Sequence, residues 1–208
     1  MRILLVLGGE PPLPVLLERE FRLSDQVIAV DGGVQPLFEA GLVADLLIGD
    51  FDSIEKPSNY YNCLKVKHLP SQDQSDFQKA LDQIPFGADC ITILGGTGKR
   101  QDHFINNLLI AMNIDLKKKV CFLDAYCCIH RITPERPLSL KGVADNQISL
   151  LPFTTAKGVK TQGLRWNLQF QNMNPQEQLG ISNIAQSDEI KISLTEGCLW
   201  VIENNPKY

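Results

Sequence analysis

Short apolar runs with little polar alternation recur through the first part of the chain, and they constrain its fold more than any other feature. They fall at Ile3–Leu7, Val27–Val30, Leu46–Ile48, Leu64–His68, Cys90–Leu94 and Val120–Leu123. Strands of this kind are covered on both faces, which is the habit of a parallel sheet sandwiched by helices. The intervening segments Gln35–Ala40, Ser75–Ile84 and Asp102–Ile114 place apolar residues at helical spacing, so the pattern reads as repeating β-α units.

After about Ile132 the texture changes. Pro134 and Pro137 interrupt the chain, and short runs at Ile148–Leu151, Gly158–Leu164, Ile190–Leu194 and Leu199–Ile202 alternate with turn residues. That reads as antiparallel strands. The expected organisation is an α/β domain over residues 1–133 and a small antiparallel β-sandwich over residues 134–208. The polar segment Gln169–Gln178 is expected as a loop.

Composition narrows the classes. With 208 residues, 44% hydrophobic and 21% charged, the chain can bury a substantial core, and a net charge of −4 without a continuous basic surface argues against general nucleic-acid binding. The run Lys117–Lys119 is expected as the solvated end of a helix. Six cysteines without CxxC spacing read as thiols in a reducing compartment. The apolar start is too short for a secretion signal and no stretch is long enough to span a bilayer, so a cytoplasmic protein is expected.

The aspartates carry most of the chemical information. Asp31 follows one strand run and leads into Gly32-Gly33, while Asp50 and Asp52 follow another in Gly49-Asp50-Phe51-Asp52-Ser53. Asp73 and Asp76 precede a helix in Gln72-Asp73-Gln74-Ser75-Asp76, and Asp102 does so in Gly95-Gly96-Thr97-Gly98-Lys99-Arg100-Gln101-Asp102-His103. In a parallel sheet all these strand-to-helix loops open at the carboxyl edge and can meet in one crevice. Carboxylates gathered there repel one another unless a cation neutralises them, which points to magnesium. If the Asp50-Phe51-Asp52 loop is extended, both carboxylates face one side while Phe51 turns into packing.

Magnesium on an acidic edge implies a phosphorylated ligand. The glycine loops at Gly32-Gly33 and at Gly95–Gly98 offer backbone N–H groups, and Lys99 and Arg100 add positive charge. The second loop is not a Walker A sequence, because Lys99 is followed by Arg100 rather than Ser or Thr. His103 is expected in a hydrogen-bonding role, and His68 and His130 are assigned no chemistry.

Taken together these motifs, with Phe77, Lys79-Ala80-Leu81 and Asn106, resemble the thiamine pyrophosphokinase family in order and approximate spacing. The resemblance extends to Gly163-Leu164-Arg165-Trp166-Asn167-Leu168, Ser182-Asn183 and Gly197-Cys198-Leu199-Trp200. It implies a Rossmann-like nucleotide-binding domain followed by a thiamine-binding β-sandwich, a homodimer with active sites at the subunit interface, and transfer of diphosphate from ATP to thiamine with AMP released. By motif position it implies Asp50, Asp52, Asp73 and Asp102 at the magnesium and phosphate centre, with Asp31 and Asp76 close behind and Arg100 stabilising the transferred group. Lys79 and Asn106 would serve ATP together with Gly32, Gly33, Gly96, Thr97 and Gly98. Gln72, Trp166, Ser182 and Asn183 would hold thiamine, and an indole face suits a flat cationic ligand. Lys99 stands where the family often has a further Gly. The alternatives are a related pterin-alcohol diphosphokinase and a non-catalytic thiamine or nucleotide sensor.

Overall fold

The computed structural model describes residues 1–52, 54, 63–176, 180–204 and 206. It forms two compact units, Met1–Ala111 with Phe122–Asp124, and Met112–Cys121 with Ala125–Tyr208. The run Cys127–Ile132, ahead of residue 134, falls in the second unit. Among the described residues no helix is long and apolar enough to cross a membrane.

The first unit is mixed α/β. Strand β1 (Arg2–Val6) pairs in parallel with β2 (Gln26–Val30) and with β5 (Cys90–Leu94); β2 pairs with β3 (Leu46–Gly49), and β3 with β4 (Val66–His68), all in parallel. The order is β5-β1-β2-β3-β4. Ile3, Leu4, Leu5 and Val6 are all fully buried, as the absence of alternation requires. β4 differs, since all three of its residues are exposed at the sheet edge.

Three of the helices were legible: α2 (Val34–Glu39) starts one residue earlier than its periodicity, while α3 (Asp76–Leu81) and α4 (Gln101–Met112) are shorter than theirs. A further helix, α1 (Pro14–Leu23), has no counterpart in the sequence reading. The cluster Pro11-Pro12-Leu13-Pro14 looks like a breaker, but Pro14 sits at the first helical position, where its missing N–H is no loss and its fixed φ suits the helix. This helix buries Leu16, Leu17 and Glu20; the Glu20 carboxylate is neutralised by Arg2 and by Arg19, the latter at 2.8 Å.

The second unit contains two antiparallel sheets. One has the order β12 (Asn183–Ile184), β9 (Gln147–Leu151), β14 (Leu199–Asn204), β7 (Cys127–Ile132), and the other β11 (Gln171–Met173), β10 (Ala156–Gln162), β13 (Glu189–Ser193), β8 (Leu138–Lys141). β11 lies inside the segment expected to be a loop. Both sheets feed one core: Ile148, Leu150, Leu199 and Val201 from the first, Val159, Met173, Ile190 and Ile192 from the second. β6 (Lys119–Leu123) is divided, with Phe122 and Leu123 in the first unit.

The basic run 117–119 is not a helix end. α4 stops at Met112, and the following loop is drawn away from helical geometry by side chains of the second unit. The buried Arg131 guanidinium donates to the carbonyls of Ile114, Asp115 and Lys118 at 2.6, 2.8 and 2.8 Å, and Thr133 Oγ1 to that of Leu116 at 2.8 Å. Carbonyls that a helix would use internally are thus satisfied from outside. All six cysteines carry thiols rather than disulfides, and Cys121, Cys128 and Cys198 are buried.

Candidate active site

A cleft of about 540 Å³ opens at the carboxyl ends of β1, β2, β3 and β5, within the first unit. Parallel strands deliver their loops to one edge, and the cleft gathers Gly8 and Gly9 after β1, Asp31 after β2, Asp50 and Asp52 after β3, and Gly95–Arg100 after β5. Gln72, Asp76, Lys79 and Asn106 also line it. Ser53 lies outside the described residues.

Three carboxylates converge. Asp31, Asp50 and Asp76 each place one oxygen within 4.8 Å of the others. Local structure explains each position. Asp31 opens a 3-10 turn with φ 47°, a left-handed conformation that aspartate tolerates better than most residues. Asp76 is the first residue of α3, set there by a capping box in which Gln78 N–H donates to Ser75 Oγ at 3.3 Å and Ser75 N–H donates to Gln78 Oε1 at 3.0 Å. Lys79, one turn on and only 4% exposed, donates to Asp76 Oδ1 at 2.9 Å.

Asp50 is organised differently from the extended alternation that the sequence suggested. Phe51 has φ 66°, so the chain turns back and Asp52 N–H donates to Asp50 Oδ1 at 3.2 Å. Phe51 stacks on His68 with ring centroids 5.2 Å apart, and His68 Nε2 lies 3.1 Å from the Asp50 carbonyl oxygen. His68, given no role from sequence, therefore buttresses the acidic turn. Gln72 Nε2 donates to Asp50 Oδ2 at 2.8 Å. That bond, the Asp52 N–H and the Lys79 charge together hold the Asp50 carboxyl below the usual carboxylate range, against a smaller opposing effect of burial.

Two aspartates of the expected metal set stand elsewhere. Asp73 is exposed and accepts from Ser71 Oγ at 2.8 Å. Asp102, in the first turn of α4, is tied to Arg100 through Nε at 3.2 Å and Nη2 at 2.5 Å. Neither is among the described residues lining the cleft, and neither are Gly32 and Gly33. Gly33 is pressed against the end of β1 instead. The acidic grouping in the structure is thus Asp31, Asp50 and Asp76, with Asp52 nearby on the cleft wall. The Gly8-Gly9 loop and Asn107, whose Nδ2 donates to the Gly96 carbonyl at 3.1 Å, were given no role in the site from sequence. A glycine pair directly after the first strand was the available signal.

The Arg100 guanidinium, first through its hydrogen bonds and then, after the His103 N–H, through its charge, holds the exposed Asp102 carboxyl at about 2, below its ordinary 3.8. A carboxyl depressed on folding keeps its contribution above the ordinary value and loses it as pH falls through the folded one. The pair is therefore intact at neutral pH and dissolves between about pH 4 and pH 2. An NMR titration should place the Asp102 midpoint near 2 and return it toward 3.8 in Arg100→Ala; equal midpoints in the two proteins would refute the pairing.

In the second unit, Trp166 is 57% exposed, so its indole is not core packing. Its backbone is clamped by the buried Asn183, whose Oδ1 accepts from Trp166 N–H at 3.1 Å and whose Nδ2 donates to the Trp166 carbonyl at 2.8 Å. Arg165 lies over the indole face, 4.9 Å from the ring centroid. Ser182, with φ 57°, donates its N–H to Ser149 Oγ at 3.0 Å. Trp200, part of the terminal motif, is buried in β14.

Residues 17–123 match the model of the thiamin pyrophosphokinase catalytic domain, and residues 125–199 that of the thiamin pyrophosphokinase vitamin B1 binding domain. The chain belongs to the thiamin pyrophosphokinase family. Among curated members, thiamine pyrophosphokinase of Bacillus subtilis is 31% identical over 133 residues, covering 61% of this chain and 62% of the relative. Thiamine pyrophosphokinase 1 of Oryza sativa subsp. japonica is 28% identical over 178 residues, covering 76% and 65%. These matches span less than two thirds of either relative's length. The crystal structure of the Bacillus subtilis thiamine pyrophosphokinase superposes with a TM-score of 0.81 at 26% identity over 100% of both chains. That of thiamin pyrophosphokinase from Geobacillus thermodenitrificans, at 24% identity, shares the fold with a TM-score of 0.80 over 100% and 99%.

Proposed function

We propose that the chain transfers a diphosphate group from ATP to the hydroxyl of thiamine, with AMP as the second product. The observation that carries this reading is the convergence of Asp31, Asp50 and Asp76 in a cleft that also presents Gly95–Gly98 and the cations Lys79, Lys99 and Arg100. The donor set suits magnesium: three carboxylates and no sulfur or imidazole ligand in the cluster. Asp31, Asp50 and Asp76 would hold the ion, with Asp52 beside them. Bound there, magnesium would offset the charge of the phosphate oxygens.

The chain's own residues do the rest. The parallel sheet acts as a Rossmann-like nucleotide scaffold, and the glycine loop after β5, with Thr97 and Asn106, cradles the phosphates through N–H and side-chain donors. Arg100 and Lys79 balance negative charge on the transferred group. Gln72 and the Asp50–Asp52 turn orient the thiamine hydroxyl, and a carboxylate of that turn takes its proton. The bond that forms joins the hydroxyl oxygen to the β-phosphorus, and the bond that breaks joins that phosphorus to the oxygen bridging to the α-phosphate, so AMP leaves. Positioning and fixed charge supply most of the rate in such a transfer. Trp166, Ser182 and Asn183 belong to the thiamine half, where the exposed indole offers a face to a cationic ring. The working form is a homodimer with active sites at the subunit interface, as the family resemblance implies, and the six thiols suit the cytoplasm.

The purified protein with ATP, magnesium and thiamine should yield thiamine diphosphate and AMP in equal amounts. Release of ADP instead, or turnover with hydroxymethylpterin and none with thiamine, would overturn this reading.

A further inference from the structure

Lys99 is at odds with its own backbone. Its φ is 47°, a conformation that suits glycine and strains a residue with a side chain, and it directly follows Gly98 at φ 71°. Its ammonium reaches from the loop after β5 to the loop after β1 and donates to the Gly8 carbonyl at 3.3 Å. Those two loops are already joined by shorter bonds, from Gly9 N–H to the Gly95 carbonyl and from Glu10 N–H to the Thr97 carbonyl, both 2.8 Å. An exposed bond at 3.3 Å adds little to them. Stapling the loops therefore does not account for a strained lysine.

Charge does. Lys79 is paired with Asp76 and Arg100 with Asp102. Among the described residues Lys99 makes no ion pair, so of the three Lys and Arg side chains lining the cleft it alone has a charge that no carboxylate matches. Building on the diphosphate-transfer reading above, we propose that Lys99 selects the nucleotide donor. Its ammonium releases the Gly8 carbonyl and meets the donor's polyphosphate, favouring a triphosphate over less charged nucleotides.

The test compares wild type, Lys99→Gly and Lys99→Arg in steady-state turnover, with ATP varied, with AMP as competitor and across ionic strength. Glycine suits the backbone, so Lys99→Gly should melt at or above the wild-type temperature. Its KM for ATP should rise about tenfold, the size of one charge-assisted hydrogen bond in a partly exposed site, and should depend less on salt. The inhibition constant of AMP should change less than about twofold, and Lys99→Arg should stay within about threefold of wild type in KM, since both side chains keep the charge. An unchanged KM for ATP in Lys99→Gly would overturn the assignment, as would equal rises for ATP and thiamine with a lowered melting temperature, the signature of a loop staple. Wild-type protein that makes no thiamine diphosphate would instead sink the functional reading itself.

Discussion

Asp31→Asn and Asp50→Asn should each lower kcat by about 10²–10³-fold, the scale on which removing one fixed charge or donor from a reacting centre is felt. Asparagine keeps the shape and an acceptor oxygen at each position but removes a charge from the cluster whose oxygens lie within 4.8 Å of one another. The magnesium concentration needed for half-maximal rate should rise in both variants. Neither should melt lower by more than a few degrees, because relieving like-charge repulsion offsets lost hydrogen bonds. Asp76→Asn should lose turnover similarly yet also lose stability, since Lys79, only 4% exposed, would be left with its charge unmatched. Asp73→Asn should stay within about threefold of wild type, because no oxyanion or metal contact is removed. Steady-state kinetics with magnesium titration on this set separates two groupings of carboxylates. A full-sized loss in Asp73→Asn with normal turnover in Asp31→Asn would restore the set that the family resemblance implied and remove the one seen in the fold.

That contrast shows what a linear reading can and cannot supply. The edge on which the chemistry sits was legible, because uninterrupted apolar runs demand a parallel sheet and a parallel sheet delivers its loops to one side. Which carboxylates meet was not, because it depends on three-dimensional turns. A left-handed Phe51 folds Asp52 back toward Asp50. Ser71 and Arg100 engage Asp73 and Asp102, neither of which lines the cleft. The capping box of α3 brings Asp76 in. The role of His68 was hidden for the same reason, since its partner Phe51 is seventeen positions away and only the pairing of β3 with β4 joins them. In the second unit β9, β10, β13 and β14 were found as apolar runs, whereas β7, β8 and the two-residue β12 were not singled out and β11 is short and polar enough to read as loop.

Gly33→Ala should be a strongly damaging single-methyl change in the first unit, and the reason is space rather than backbone freedom. Gly33 has φ −65° and ψ −11°, which alanine adopts without strain. An added Cβ would stand 1.9 Å from the Val6 carbonyl oxygen and 2.5 Å from its carbon, so strand or turn must move. β1 cannot yield easily, because Val6 is in register with Ala29 of β2 on one side and Leu94 of β5 on the other. The turn is equally constrained, since it carries Asp31 two residues earlier and packs Val34 into the core. Forced overpacking of this kind costs about 3 kcal/mol or more, which for a chain of this size lowers the melting temperature by about 6–12 °C. Displacing the turn also displaces Asp31, so turnover should fall with stability. Gly87→Ala is the control: a Cβ there meets nothing within 4 Å, and its melting temperature should stay within about 2 °C of wild type. Calorimetry and kinetics on the two variants decide the matter, and a Gly33→Ala protein as stable and active as Gly87→Ala would mean that β1 and the turn after β2 do not approach this closely.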